Sequence, residues 1–180
     1  FGSTGIFVGY AVSEVFQLGA LVEPKVMKRY DILVSSAGGM DRWKADALGL
    51  LVRARLLVPS AGRRHGAISL SLGRYSLNGA ERRTDGLDGK WKLEGFGLGG
   101  EIGLEVEWVF PSALAVAVGA GYRLARISPV MCSGDLGGVG VADRKLANLD
   151  GSGAAFDLSG LFVRAALSYW FGEFETSGTK

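Results

Sequence analysis

The sequence predicts an all-β fold, a closed antiparallel transmembrane β-barrel of eight strands, and three observations carry the prediction. Apolar residues recur at every second position over long segments, with charged or small residues between them. Glycine supplies 29 residues of 180 and proline only 4, a glycine content about twice the roughly 7% of globular chains and without the period of three found in collagen. Connectors between the alternating segments are short at some junctions and long, polar and glycine-rich at others. A period of two is the mark of strands, whose successive side chains point to opposite faces. Glycine is tolerated where a sheet bends or a bulky neighbour crowds the backbone.

Eight segments follow in order. In 4–12, Ile6, Val8, Tyr10 and Val12 share a face, and in 15–23 Phe16, Leu18, Ala20 and Val22 do so. A third, 30–37, rests on the short run Ile32 to Ser36. In 47–58, Leu50, Val52, Ala54, Leu56 and Val58 oppose Leu51, Arg53, Arg55 and Leu57. In 65–76, Ile68, Leu70 and Leu72 oppose Ala67, Ser69, Ser71 and Gly73. The clearest segment is 92–110, where Ile102, Leu104, Val106, Trp108 and Phe110 oppose Glu101, Gly103, Glu105 and Glu107. Its alternation extends back to Glu94, a strand of about 55 Å at roughly 3.3 Å per residue, longer than a small soluble sandwich needs. In 113–127, Leu114, Val116, Val118, Ala120, Tyr122 and Leu124 oppose alanines, glycines and Arg123; in 155–171, Leu161, Val163, Ala165, Leu167, Tyr169 and Phe171 oppose Phe162, Arg164, Ala166, Ser168 and Trp170. Residues 1–171 form one barrel domain on this reading, with 172–180 a short tail.

The connectors around Pro59-Ser60 and Pro111-Ser112 are short, whereas 77–91 and 128–154 are long and carry the turn signals Asn78-Gly79, Asp85-Gly86, Asp88-Gly89 and Asp150-Gly151. With the N terminus at the short-connector end, this is the asymmetry of a barrel with periplasmic turns and extracellular loops. The junction near Ser13-Glu14 is shorter than the scheme requires.

Face assignment follows from energetics. An arginine facing lipid near mid-membrane costs about 2–4 kcal/mol, so several would exceed the roughly 5–15 kcal/mol net stability of a domain. Arg53, Arg55, Glu101, Glu105, Glu107, Arg123 and Arg164 therefore point inward and must pair, because an isolated buried charge keeps its desolvation cost. Small residues beside them leave the room that an eight-stranded interior lacks, and a barrel so filled is not expected to pass large solutes. Trp108, Phe110, Tyr169, Trp170 and Phe171 are expected at one membrane rim and Trp91 and Tyr75 at the other, with Trp43 a loop aromatic. The competing architecture is a soluble lipocalin-like barrel or β-sandwich with the apolar stripe inside. The glycine and alanine of the opposite face suit a crowded interior better than a solvated surface.

Composition narrows the partners. Twenty lysines and arginines against 18 aspartates and glutamates give a net charge of +2, too balanced for nucleic acid. Cys132 has no intrachain disulfide partner. No run of 18 apolar residues signals a transmembrane helix. The chain begins at Phe1 without a basic-then-apolar leader, as expected of a mature product already freed of a signal peptide or of a trimmed chain.

The sequence assigns no catalytic, cofactor-binding or metal residue, and no enzyme is expected. His65, following Arg63-Arg64, is a lone imidazole near Ser69 and Ser71; it is read as a turn or rim residue, with a lipid-hydrolase base as the alternative. Gly95 to Gly100 satisfies G-x-G-x-x-G but leads into a strand, not the helix that dinucleotide binding needs. Asp143, Asn148, Asp150 and Asp157 offer oxygen ligands without calcium-loop spacing. Arg63-Arg64 and Arg82-Arg83 are candidates for acidic lipid groups.

The segment DLSGLFVRAALSYWF, Asp157 to Phe171, and the run Gly119-Ala-Gly-Tyr-Arg123 resemble the final and penultimate strands of the small outer-membrane β-barrel proteins of Gram-negative-type bacteria, including the OmpA transmembrane-domain and OmpX/OmpW-like groups. The resemblance covers 45–171. It implies outer-membrane localisation, a closing strand read by the outer-membrane assembly machinery, and outer-membrane lipids as neighbours. The expected role is structural, or the binding of a surface polymer or protein ligand through the long loops. A narrow channel or transporter for ions or small apolar solutes is the alternative, and lipid hydrolysis the third. The chain departs from the family in continuing past Phe171 through Gly172 to Lys180.

Overall fold

The computed structural model describes residues 2–26, 35–36, 39–40, 44–58, 64–82, 89–136, 139–145, 153 and 155–171. Every regular element among them is a strand: β1 (Gly2–Ala11), β2 (Phe16–Val26), β3 (Ser35–Ser36), β4 (Gly39–Met40), β5 (Lys44–Val58), β6 (Arg64–Arg82), β7 (Gly89–Val109), β8 (Leu114–Ile127), β9 (Val130–Leu136), β10 (Val139–Lys145), β11 (Phe156–Asp157) and β12 (Gly160–Phe171). Seven of them close into a ring, β7-β6-β5-β2-β1-β12-β8, sealed by the β7–β8 pairing.

The count is seven where the sequence predicts eight. Of the segment 30–37 only Ser35–Ser36 is described, paired with Gly39–Met40 in a two-stranded ladder apart from the ring, and 30–34 and 37 lie outside the described residues. β2 and β5 pair directly, Leu21 beside Leu51, so no slot exists between them. The change resolves the short junction near Ser13-Glu14. With one strand fewer, the connections 12–15, 59–63 and 110–113 all lie at one end, and Gly2 lies at the long-loop end instead of the short-turn end. An odd number of strands cannot all alternate, and the mismatch falls between first and last: β1 and β12 run parallel, Gly2 beside Val163 through Tyr10 beside Phe171.

Register fixes the dimensions. A circuit that leaves β12 at Gly160 passes Arg123, Glu101, Ser71, Arg53, Gly19 and Gly9 and returns at Trp170, ten residues further along. Ten residues at about 3.3 Å against seven strands about 4.8 Å apart give a tilt of about 45°. The corresponding backbone radius is about 7.5 Å, an interior for side chains and not for a wide water column.

Two hairpin features depart from the expected connectors. Asn78-Gly79 is not a turn: β6 and β7 continue as partners to Arg82 beside Lys90. Beyond Gly99, where β7 leaves β8, it pairs with β9, which pairs with β10, so that β6, β7, β9 and β10 form a sheet projecting from the long-loop end. At the opposite end the β7–β8 turn is tight. Phe110 N donates to Leu114 O at 2.8 Å, and Ala113 takes φ 61°, a left-handed conformation rare for a residue with a Cβ.

Candidate functional site

The alternation seen in the sequence becomes an inside-out distribution. Ile6, Val8, Leu18, Val52, Leu56, Leu70, Ile102, Leu104, Val118, Val163 and Leu167 are exposed on the outer face, while Arg53, Arg55, Glu101, Glu105, Glu107, Arg123 and Arg164 are buried within. The seven inward charges expected from the sequence are all inward. Glu23 joins them, making four carboxylates against four guanidiniums.

These eight groups form two tiers. Nearer the long loops, Glu23 on β2 and Glu101 on β7 alternate with Arg123 on β8 and Arg164 on β12 in a closed ring. Arg123 Nη2 donates to both Glu23 oxygens at 2.9 and 2.8 Å and its Nε to Glu101 at 2.6 Å. Arg164 donates through Nε and Nη2 to Glu23 at 2.9 and 2.7 Å and through Nη2 to Glu101. Tyr75 OH adds a 2.6 Å hydrogen bond to Glu101. The Phe162 ring lies under both arginines, 5.3 and 4.6 Å from their guanidinium carbons. Four strands that are not all neighbours are thus tied across the interior by charge-assisted bonds.

The second tier is a chain. Arg53 pairs with Glu105 and donates to Ser69 at 3.0 Å; Ser69 Oγ donates to Glu105 at 3.1 Å. Arg55 lies 3.1 Å from Glu105 through Nε and donates through Nη1 to Glu107 at 3.0 Å and Gln17 at 3.1 Å. Trp170 Nε1 donates to Glu107 at 3.4 Å, and its ring meets Phe7 at 4.9 Å with the Arg55 guanidinium 5.1 Å above it. Glycine makes this packing feasible: a Cβ on Gly9 would stand 2.6 Å from both the Phe7 and Trp170 rings, and one on Gly99 would stand 2.7 Å from Tyr75. Above the ionic tiers, Leu77, Leu93, Ile127, Val130, Phe156 and Leu158 close the long-loop end with apolar side chains.

Two aromatic residues expected at the rims are therefore interior. Tyr75 and Trp170 are both buried, because each shares the parity of the inward arginines or serines on its strand and has a carboxylate to receive its proton donor. Trp108, Phe110, Tyr169 and Phe171 are outward at the short-turn end as expected, and Tyr10 and Phe16 extend the belt. Trp43 and the side chain of Trp91 lie outside the described residues.

The candidates for chemistry are not brought together. His65 is the second residue of β6, half-buried at the short-turn end. Ser69 lies four residues along the same strand, about 13 Å away, committed to Arg53 and Glu105. Gly95 to Gly100 lies inside β7 and opens no helix. Cys132 sits in β9 opposite Leu93. Asp143 is in β10; Asp157, in β11, accepts the Ser159 N–H at 2.8 Å. Among the described residues no group of three His, Cys, Asp or Glu side chains is placed to hold a metal. Asn148, Asp150, Arg63, Arg83 and the tail 172–180 lie outside the described residues, as does the side chain of Arg82.

Glu23 is the functional residue that sequence reasoning missed. Four inward arginines against three glutamates left one cation over, and Glu23 shares the parity of Gln17 and Leu21 on its strand. The charge imbalance was the available signal.

No family model, curated protein or solved structure matches the chain.

Proposed function

We propose that this chain is an integral outer-membrane barrel related in kind to the OmpA transmembrane-domain and OmpX/OmpW-like proteins, with a structural role or a role in presenting its long loops and projecting sheet to surface polymers or proteins. One observation carries the reading: among the described residues 31 large hydrophobic side chains are exposed, all but Val12 and Val15 of one turn on or bordering the outer wall of a barrel whose inside holds eight charges. Water does not tolerate so much contiguous apolar surface on a monomer, and hydrocarbon requires it.

The dimensions agree. Leu114 to Leu124 on β8 and Leu161 to Phe171 on β12 each place outward side chains at alternate positions over ten residue steps, roughly 23 Å along the membrane normal at a 45° tilt, against the about 25 Å apolar band of outer-membrane barrels. Tyr10, Phe16, Trp108, Phe110, Tyr169 and Phe171 border this band at one end, where amphipathic rings meet headgroups, and Lys25, Asp46, Arg74, Glu94 and Arg126 border it at the other. The seven-strand ring with its parallel seam departs from the even, fully antiparallel count usual for single-chain bacterial barrels.

The interior supports a sealed barrel over a channel. Glu23, Arg55, Glu107 and Arg123 are almost wholly shut off from water, whereas a continuous water column would wet them. The reading assigns no catalytic step.

Refolding from denaturant into detergent micelles or phospholipid vesicles tests the proposal. The expected outcome is a folded species that migrates differently on gels before and after boiling, needs detergent to stay dispersed, and gives no steady current in planar bilayers. A monodisperse monomer in detergent-free buffer would exclude membrane embedding.

A further inference from the structure

We propose that the outer face of β6, β7 and β8, at the long-loop margin of the apolar band, binds the phosphate headgroup of a membrane lipid between Arg74 and Arg126; the proposal deepens the outer-membrane reading and rests on it.

The outward rows change character there within one step. Leu72, Gly100 and Leu124 form one row across the three strands, in which Leu72 pairs with Gly100 and Gly100 with Leu124. In the next row Arg74 pairs with Leu98, and Arg126 follows one step beyond the Gly99–Ala125 pair on Leu98's other side. All three side chains are exposed, Leu98 to 80%. The two arginines stand two strand spacings apart, about 10 Å at the backbone, with a bare leucine between them.

Directly above Arg74 the surface is concave. A groove of about 340 Å³ is lined by Arg74, Ser76, Asn78, Phe96, Pro129 and Met131. The Arg74 guanidinium is stacked over the Phe96 ring at 4.5 Å, which orients its planar donor fork without using its N–H groups. Glu94 also lines the groove, but its carboxylate pairs with Lys92. Asp157 stands across from Arg126 in the β8–β11 ladder and accepts the Ser159 N–H.

An occupant must satisfy both halves of this surface. Arginine forks bind phosphate oxygens in pairs, and Ser76 and Asn78 offer further hydrogen bonds to a polar headgroup. Below them Leu72, Leu98 and Leu124 are exposed to hydrocarbon depth. At Gly100 the Leu72 side chain lies over the bare backbone, where a Cβ would stand 2.8 Å from Leu72 Cδ2, so this row is apolar without a gap. A free phosphate would use the arginines and leave the exposed leucines uncovered; an acyl-bearing phosphate uses both.

The test uses the chain refolded in phosphatidylcholine nanodiscs doped with phosphatidic acid, with retained lipid counted by mass spectrometry after release. Wild type is expected to retain phosphatidic acid selectively. Arg74→Gln/Arg126→Gln is expected to lower that retention about tenfold or more, for loss of two charge-assisted contacts. Lys25→Gln, at the same margin on β2, is expected to leave it unchanged. Equal retention by a double variant that still inserts and stays heat-modifiable would overturn the site while leaving the barrel reading intact; a wild-type chain that does not enter the bilayer would remove both. Displacement by inorganic phosphate as readily as by phosphatidic acid would reassign the site to free anions. Should the double variant fail to fold, a photoactivatable phosphatidic acid on wild type decides: cross-links within Leu72–Asn78 or Leu124–Met131 support the site, and cross-links confined elsewhere overturn it.

Discussion

Glu23 and Arg164 belong to strands separated by β1, yet a single Glu23 oxygen accepts hydrogen bonds from both Nε and Nη2 of Arg164, at 2.9 and 2.7 Å. The same carboxylate binds Arg123 through both its oxygens. Glu23 is thus the anion on which two buried cations depend, and removing it leaves both with Glu101 alone. Glu23→Leu is expected to destabilise the folded barrel by about 3–5 kcal/mol, the cost typical of breaking a buried pair from one side. Denaturant titration in micelles would measure it.

The complementary change separates attraction from desolvation. Because paired buried ions largely offset their own desolvation, replacing both partners by apolar side chains restores much of what a single replacement loses. The double variant Glu23→Leu/Arg164→Met should be at least about 1 kcal/mol more stable than Glu23→Leu, read from the same titration as a double-mutant cycle. A double variant no better than the single would mean that packing of the Arg164 stem, and not its stranded charge, sets the loss.

Outward position is tested at Leu104, exposed and midway between Leu98 and Phe110 in the outward apolar row that β7 begins. In a bilayer, Leu104→Arg should cost about 2–4 kcal/mol and slow refolding into vesicles. In water the same change would be neutral or improve solubility, so the sign of the effect in vesicles distinguishes the two environments.

Room around the aromatic floor is tested at Gly9. Gly9→Leu would drive a side chain into Phe7 and Trp170, where even a Cβ stands at 2.6 Å, and is expected to destabilise by about 1–3 kcal/mol or more through overpacking. Quenched or shifted tryptophan emission would report the displacement of Trp170.

The short turn offers a gain. Ala113 at φ 61° carries a left-handed strain of about 1–2 kcal/mol, which glycine lacks, offset by the roughly 0.5–1 kcal/mol entropy that glycine costs. Ala113→Gly is therefore expected to raise stability by about 0.5 kcal/mol, visible as a higher denaturant midpoint.

Much of this architecture was legible because period two is a strong signal wherever one face is uniformly apolar. Every inward arginine and glutamate named from the alternation is inward, and the short connectors at Pro59-Ser60 and Pro111-Ser112 join the paired strands β5–β6 and β7–β8. The strand count was not legible from Ile32 to Ser36 alone, since so short a run alternates by chance as easily as by design; the abrupt Ser13-Glu14 junction held the contrary information, and β2 pairs directly with β5. For Tyr75 and Trp170, residue type misled where parity did not. An aromatic near a strand end suggests a rim, but glycines on neighbouring strands, Gly99 and Gly9, make room for each inside. The β6–β7–β9–β10 projection was hidden because Asn78-Gly79 has turn chemistry while the ladder runs straight through it.

The parallel pairing of β1 with β12 has a consequence for the chain's two ends. Gly2 sits where the long loops are and Phe171 where the turns are tight, so polypeptide attached ahead of the one and behind the other departs from opposite mouths of the cylinder. On the proposed outer-membrane reading, epitopes grafted at these two positions would report to different compartments, one to antibody outside the cell and the other only after the envelope is breached.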